Sequence, residues 1–197
     1  AVHIPYFSLE QFRTALVDKY LSIYTSDVVV QEKINGSNIS IIGTRHAGQT
    51  WTIQLGTRKK LISDSDNFNN FQALVSTHHD AIISLFNSVV DSNFTPDEFS
   101  SVRLYGEIFG GKYGGTCDQG AVRTQKDPNY CSTNDFAFFD IIVDGITVPV
   151  LQAHELINKS GLKVAPVIYT GPLAPFLKTF NVNTFSSVVS QEFYGMP

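Results

Sequence analysis

A short polar turn, Glu32-Lys33-Ile34-Asn35-Gly36-Ser37-Asn38, holds a lysine between two segments that are predicted to be strands. Asn-Gly favours a tight turn, and the glycine lets a ligand come close to the backbone. A lysine amine held in such a turn can attack the α-phosphorus of a nucleoside triphosphate once it has lost its proton. The alternative is an exposed hairpin turn that happens to contain a lysine, and the turn alone does not separate the two.

Other charged side chains stand inside or at the end of segments that should be buried. They are Glu32 and Lys33 at the end of an apolar strand, Arg58 after the second strand of a hairpin, Glu107 in an apolar strand, and Asp140 in the most apolar strand of the chain. Buried charges must be paired, bind a metal or face a ligand. A structural network explains any one of them, but five at strand ends predict a common cleft.

The elements that must position these residues follow from hydrophobic periodicity and turn signals. The predicted helices cover 9–22, 67–91, 152–159, 172–180 and 184–192, and the predicted strands cover 27–33, 38–45, 50–57, 103–109, 136–143, 146–150 and 163–169. Five glycines predict a flexible loop from 110 to about 135. His78 and His79 are predicted to be structural rather than metal ligands.

Composition describes an ordinary globular protein of 197 residues, with 43% hydrophobic and 16% charged residues. The net charge of −4 argues against a broad nucleic-acid-binding coat but leaves room for a local basic channel. The candidate basic patches are Arg58-Lys59-Lys60 and the sparser set Lys112, Arg123 and Lys126. Cys117 and Cys131 are predicted to be free thiols, since neither has zinc-ligand spacing to another Cys or His.

No apolar run reaches membrane-spanning length, and the first five residues lack the pattern of a signal peptide. We therefore expect a cytoplasmic, intracellular protein that does not bind membranes, with a viral or phage origin as one alternative. The oligomeric state is not determined by the sequence, and a monomer is the working expectation.

Taken in order, these segments resemble the motifs of the covalent nucleotidyltransferases, the superfamily of polynucleotide ligases and mRNA capping enzymes. The lysine turn is similar to motif I, and its form E-K-x-x-G-[ST]-N resembles the RNA ligase 2 family, which includes phage enzymes and RNA-editing ligases. The other segments with counterparts in that family are Tyr105–Gly110 (motif III), Asp135–Ile141 (motif IIIa), Gly56–Arg58, Phe7–Glu10 and Val164–Pro166. The resemblance covers nearly the whole chain.

What the resemblance implies is an ATP-dependent RNA ligase. Lys33 would take AMP from ATP, AMP would pass to an RNA 5′-phosphate, and a 3′-hydroxyl would seal the strand. Mg²⁺ would neutralise the triphosphate and orient the leaving group, with no metal ligands assigned to the chain. The implied pocket residues are Glu32 by the adenine, Ile34, Asn38 near the ribose and α-phosphate, Arg58 at the ribose or RNA end, Glu107 at a ribose hydroxyl, Phe139 stacked on adenine, and Asp140 supporting the pocket.

The implied fold is α+β, a nucleotidyltransferase (ligase and capping-enzyme, ATP-grasp-like) domain of antiparallel sheets flanked by helices, with the AMP cleft between the sheets. Residues 1–197 are expected to form this one adenylyltransferase domain. The implied partners are RNA ends, either nicked or single-stranded.

The chain departs from the family at its C-terminal end. Motif IV (E-G-x-V-[IL]-[KR]) and motif V (K-x-K) are absent, and Gln191–Gly195 does not match either. We therefore expect a domain that is incomplete at its C-terminus, since those lysines contact the phosphates and the metal site. One alternative is a natural relic that binds nucleotide or RNA without ligating. Another is a GTP-using capping enzyme, which Asn38 argues against because those enzymes usually carry arginine there.

Overall fold

The structure, a computed structural model, describes residues 25–93, 99–181 and 184–196. Its contacts divide these residues into two compact units, 25–32 with 166–187 and 33–165 with 188–196. The helix predicted over 9–22 and the Phe7–Glu10 segment lie outside the described residues. Within them the fold is mixed α and β, with antiparallel sheets and five helices.

The elements in chain order are β1 (Asp27–Gln31), β2 (Ser37–His46), β3 (Thr52–Thr57), α1 (Phe71–Thr77), α2 (His79–Asn93), β4 (Phe99–Gly110), β5 (Asn134–Val143), β6 (Ile146–Thr147), α3 (Val150–Lys159), β7 (Val167–Pro172), α4 (Leu173–Thr179) and α5 (Val188–Tyr194). The first unit contains β1, β7 and α4. In it β1 pairs antiparallel with β7, from Asp27 opposite Pro172 to Gln31 opposite Val167.

The second unit is built on a five-stranded antiparallel sheet in the order β3-β2-β4-β5-β6. Apolar residues alternate along its strands, so one face is continuously apolar and α1, α2 and α3 pack against it. This main core includes Ile39, Phe71, Phe86, Leu104, Phe138 and Ile157, all fully buried. The opposite face carries a second, smaller core to which α5 contributes Val189. One face of the sheet is therefore covered by the main core, and the other carries the smaller core.

Most predicted elements are present, with corrections in their bounds. The strand predicted over 146–150 is the shorter β6, and the helix predicted over 184–192 begins later, as α5. The single helix predicted over 67–91 is two helices that meet at His78, whose φ of −105° and ψ of 17° leave the helical region. The His78 ring lies 2.9 Å from the carbonyl oxygen of Leu74 and 5.1 Å from the Phe136 ring, so the prediction of a structural histidine is confirmed. The strand predicted over 163–169 begins later, as β7.

The glycine-rich segment between β4 and β5 is a loop, as predicted, and several hydrogen bonds connect its residues. The Asn134 side chain donates to the carbonyl of Val122 at 2.7 Å and accepts from its N–H at 2.8 Å. A Cβ on Gly111, which has a φ of +87°, would lie 2.0 Å from the same carbonyl oxygen, so only glycine fits there. Arg123, part of the second predicted basic patch, donates to the carbonyl of Lys126 at 2.8 Å and so turns toward its own loop.

Two further expectations can be compared with the structure. Cys117 and Cys131 are both free thiols, as predicted, the first exposed and the second buried. None of the helices in the described ranges has the length and apolarity needed to cross a lipid bilayer.

Candidate functional site

The face of the sheet opposite the main core carries most of the predicted site residues. Asn38 on β2 is the register partner of Glu107 on β4, and Glu107 is in turn the partner of Ala137 on β5. Because their strand neighbours Ile39 and Ile108 are buried in the main core, these three side chains lie on the other face. Three strands thus place one amide and one carboxylate in a single row.

Arg58 lies at the edge of this row. It directly follows Thr57, the last residue of β3, which pairs with Ile39, so the row continues from Asn38 to Arg58. Arg58 is exposed and makes no hydrogen bond or ion pair with another residue in the described part of the chain. The Asn38 side chain donates to the carbonyl of Gly106 at 3.3 Å, which orients it along β4.

A bulge in β5 brings two more predicted residues to the same face. The pairing of β4 with β5 skips one residue between Phe138 and Asp140, which leaves Phe139 as the extra residue. Phe138 and Ile141 both belong to the main core although two residues, not one, separate them. Phe139 and Asp140 therefore both lie on the opposite face, each partly exposed, and Phe139 packs against the second core.

The lysine turn lies directly against β4. A Cβ on Gly36 would lie 2.2 Å from the carbonyl oxygen of Ile108 and 3.1 Å from Cγ of Glu107, so the close approach requires glycine. Lys33 is exposed, and its charge acts on Glu107. The amine predicted to be the nucleophile and the carboxylate predicted to hold the ribose are thus brought to one place.

Replacing Gly36 by alanine tests this close approach. We expect Gly36→Ala to lower the free energy of unfolding by about 1–3 kcal/mol, because the new methyl group forces the turn away from β4. Urea unfolding measures the change. Gly115→Ala is the matched control, since a Cβ there has no neighbour within 4 Å. Equal stability of the two variants would contradict the packing described here.

Burial sets the electrostatics of two carboxylates on this face, Glu107 in the row and Asp140 beside it. Burial raises the pKa of Glu107 above its ordinary value of 4.5, and the charge of Lys33 partly opposes this shift. Burial alone raises the pKa of Asp140 above its ordinary value of 3.8. Both carboxylates are therefore poorly solvated. A poorly solvated carboxylate binds a hydrogen-bond donor of a ligand more strongly than one surrounded by water.

The raised pKa of Asp140 predicts a pH-dependent gain in stability on neutralising it. The folded state binds the Asp140 proton more tightly than the unfolded state, so the carboxylate lowers stability at pH values above its raised pKa. We expect Asp140→Asn to unfold at a higher urea concentration than the wild type at pH 7. The gain should shrink as the pH falls through the raised pKa and disappear below the ordinary value of 3.8.

Asp64→Asn is the control for this comparison, because Asp64 is an exposed carboxylate. Urea midpoints measured from pH 3 to pH 8 give the profile of both variants. A midpoint for Asp140→Asn that is equal to or below the wild-type value at pH 7 would contradict the prediction.

Two further predicted residues, Ile34 and Glu32, are buried. Ile34 is only 5% exposed and belongs to the second core, so its side chain packs inside the protein. Glu32 belongs to the first unit, where it is buried and accepts a hydrogen bond from the hydroxyl of Ser187 at 2.6 Å. Its backbone N–H donates to the carbonyl of Pro166 at 2.9 Å.

Sequence reasoning missed a polar cluster at the margin of the second core. Asp135, which is 7% exposed, accepts a hydrogen bond from the Tyr194 hydroxyl at 2.6 Å and forms an ion pair with Lys163 at 3.0 Å. Burial and the Asp135 charge raise the pKa of Tyr194, so it remains a donor at neutral pH. Burial also raises the pKa of the Cys131 thiol to about 11. The one available signal was Asp135, a charge at the start of an apolar strand.

The described residues contain no group of three or more His, Cys, Asp and Glu side chains arranged to hold a metal ion. Mg²⁺ commonly binds through substrate phosphates and water with one or two protein carboxylates, so a dedicated cage is not required for it. Asp140 and Glu107 are the partly buried carboxylates on the site face.

Comparison with known proteins gives one positive result. A sequence model of the RNA ligase family, described as RNA ligase, matches residues 26–187. The match includes the lysine turn, the row on β2, β4 and β5, and the bulge at Phe139. A search of curated proteins found no match.

Proposed function

Because the chain belongs to the RNA ligase family, we propose that it is an ATP-dependent RNA ligase of the RNA ligase 2 type, with Lys33 as its nucleophile. The observation that carries the proposal is the shared face that presents Asn38, Glu107, Phe139 and Asp140 next to the lysine turn. A sheet face without a ligand has no reason to keep two carboxylates, Glu107 and Asp140, poorly solvated.

The first chemical step takes place at the Lys33 amine. The deprotonated Nζ attacks the α-phosphorus of ATP, a P–N bond forms, and the P–O bond to pyrophosphate breaks. One of the two protons on the attacking nitrogen goes to solvent, and the other stays on the phosphoramidate nitrogen. An RNA 5′-phosphate oxygen then displaces the lysine from the adenylate, and a 3′-hydroxyl displaces AMP to form the phosphodiester.

The other residues of the row bind and orient the nucleotide. The Glu107 carboxylate, desolvated and close to Lys33, is suited to accept hydrogen bonds from ribose hydroxyls. Phe139, held partly exposed by the bulge, offers a ring face to the adenine. Asn38 on β2 and Arg58 directly after β3 are neighbours across the two strands. Both supply hydrogen-bond donors to phosphate oxygens. Mg²⁺, bound with the triphosphate, would neutralise charge on the leaving pyrophosphate.

The decisive experiment is incubation with ATP labelled at the α-phosphate and Mg²⁺, using the product of the complete open reading frame. We expect a covalent AMP adduct that survives denaturation and maps to Lys33, and sealing of a nicked RNA with a 5′-phosphate. Parallel incubation with labelled GTP tests the capping-enzyme alternative, which predicts a guanylate adduct. Binding of ATP without any adduct would overturn the proposal in favour of a nucleotide-binding relic.

A further inference from the structure

The segment 127–130, at the end of the long loop between β4 and β5, reaches back to the lysine turn. Tyr130 is 1% exposed, and its hydroxyl oxygen accepts a hydrogen bond from the backbone N–H of Asn35 at 3.0 Å. The Asn35 side chain donates from Nδ2 to the carbonyl oxygen of Asp127 at 3.4 Å. The segment therefore holds Asn35 by its backbone and by its side chain.

Asn35 in turn faces the predicted nucleophile. Its Oδ1 lies 3.5 Å from the Lys33 amine nitrogen, a weak contact that is longer than a standard N–H···O hydrogen bond. The orientation of the amide is chemically consistent, because the oxygen faces an ammonium group and the nitrogen faces a carbonyl oxygen. Lys33 and Asp127 are thus connected through one amide group.

The segment is itself anchored and cannot easily drift. The Tyr130 ring packs edge-on against Phe109 of β4, with centroids 5.2 Å apart. The Gln125 side chain donates to the carbonyl of Pro128 at 3.0 Å and accepts from the N–H of Gly110 at 3.2 Å. The position of the segment is therefore fixed relative to the strand that carries Glu107.

We propose that Tyr130 and the Asp127 carbonyl act through Asn35 to position the Lys33 amine for attack, so that segment 127–130 is a brace for the nucleophile. The proposal rests on the function proposed above for Lys33. Tyr130 and Asn35 are positioning residues, since neither needs to touch the nucleotide. The neutral amide oxygen restrains the amine without the electrostatic stabilisation of the protonated form that a carboxylate at this position would add.

Hydrogen exchange tests the contact between Tyr130 and the turn. Tyr130→Phe removes the hydroxyl and keeps the ring against Phe109, so the fold should be retained. We expect exchange of the Asn35 backbone N–H to accelerate about tenfold, measured by mass spectrometry on a peptide covering 33–38. Tyr113→Phe is the matched control, because Tyr113 lies in the same loop and its hydroxyl makes no hydrogen bond with a described residue. Unchanged exchange in Tyr130→Phe would overturn the brace.

Competitive labelling of lysines with acetic anhydride tests the contact between Asn35 and Lys33. In Asn35→Asp we expect the pH midpoint of Lys33 labelling to move up by about one pH unit, because a carboxylate about 3.5 Å away stabilises the ammonium. Lys159, exposed on α3 and paired there with Glu155, is the internal reference and should not move. A Lys33 profile identical to that of the wild type would also overturn the proposal.

Kinetics test the role of the brace in chemistry. In Tyr130→Phe and in Asn35→Ala we expect the single-turnover rate of AMP transfer to Lys33 to fall about 10- to 100-fold, since the amine is no longer held in line. Half-saturation by ATP should change less than about twofold, because the nucleotide contacts remain. A rise in half-saturation with an unchanged rate would show that the segment binds nucleotide instead of positioning lysine.

The three measurements separate this proposal from the proposed function. If the wild type forms no AMP adduct, the proposed function fails, while hydrogen exchange and lysine labelling still decide whether segment 127–130 holds the Lys33 amine. If the adduct forms at the same rate in Tyr130→Phe as in the wild type, the function stands and the brace fails.

Discussion

Lys33→Arg is expected to abolish the AMP adduct. Arginine retains the positive charge next to Glu107, so the electrostatics of the row stay close to those of the wild type. The guanidinium group does not lose its proton near neutral pH and cannot attack phosphorus. We expect the rate of adenylylation to fall by at least about 10⁴-fold, the size of effect typical for loss of a nucleophile. Label retained from α-labelled ATP on a denaturing gel measures the adduct, and peptide mass spectrometry locates it.

Lys59→Arg is the control for this result. Lys59 is exposed and lies in the predicted basic patch after β3, so the same chemical change there should leave the adduct unaffected. Retention of the adduct in Lys33→Arg, on any residue, would show that another amine is the nucleophile. Lys112 and Lys126 are the next residues to map in that case, because both lie in the loop that contacts the lysine turn.

The second large effect is expected from Asp135→Asn. The side chain of Asp135 is 10% exposed and that of its partner Lys163 is 31% exposed, so the ion pair is largely shielded from water. Removing only the acidic partner leaves an uncompensated charge and weakens the hydrogen bond from Tyr194. We expect a loss of about 2–4 kcal/mol in the free energy of unfolding, measured with urea at pH 7.

Glu155→Gln provides the comparison for a fully exposed pair. Glu155 and Lys159 form an ion pair at 2.8 Å on the surface of α3, and breaking it should give no measurable change in the urea midpoint. If Asp135→Asn also leaves the urea midpoint unchanged, the cluster of Asp135, Tyr194 and Lys163 does not anchor α5. Because Tyr194 packs with Ile34 and Phe139 in the second core, we also expect the Asp135→Asn variant to form the AMP adduct more slowly.

Local sequence patterns determined much of the fold and several members of the site. Apolar residues spaced as in a strand predicted β2 and β4, and a nearly continuous apolar run predicted β5; in β2 and β4 the period of two also decides which face each side chain occupies. The turn was predicted from the Asn-Gly pair, and Glu107 was singled out because it is a charged residue within an apolar strand. These signals need no knowledge of long-range pairing, since a strand has a period of two wherever it lies in the sheet. The family match over residues 26–187 agrees with the resemblance drawn from the same segments.

The tertiary structure determined features of the site that local sequence patterns do not encode. The strict alternation of a regular strand would have placed Phe139 and Asp140 on opposite faces, and only the pairing of β5 with β4 introduces the bulge that brings both to the site. His78, where the long predicted helix breaks, packs against Phe136 of β5, a contact that the local sequence does not reveal.

The hydrogen bonds between residues far apart in the chain are also determined only by the tertiary structure. Asn35 and Tyr130 are 95 residues apart in the chain, and Asp135 and Tyr194 are 59 apart, so nothing in their local sequence connects them. A single hydrogen bond of this kind contributes only about 1 kcal/mol. It involves just two residues, so it produces no pattern in composition or periodicity. The sequence by itself determined that Lys33 stands in a tight turn before an apolar strand. The folded chain decided that this turn lies against Glu107 and is held by a loop that the sequence presented as flexible.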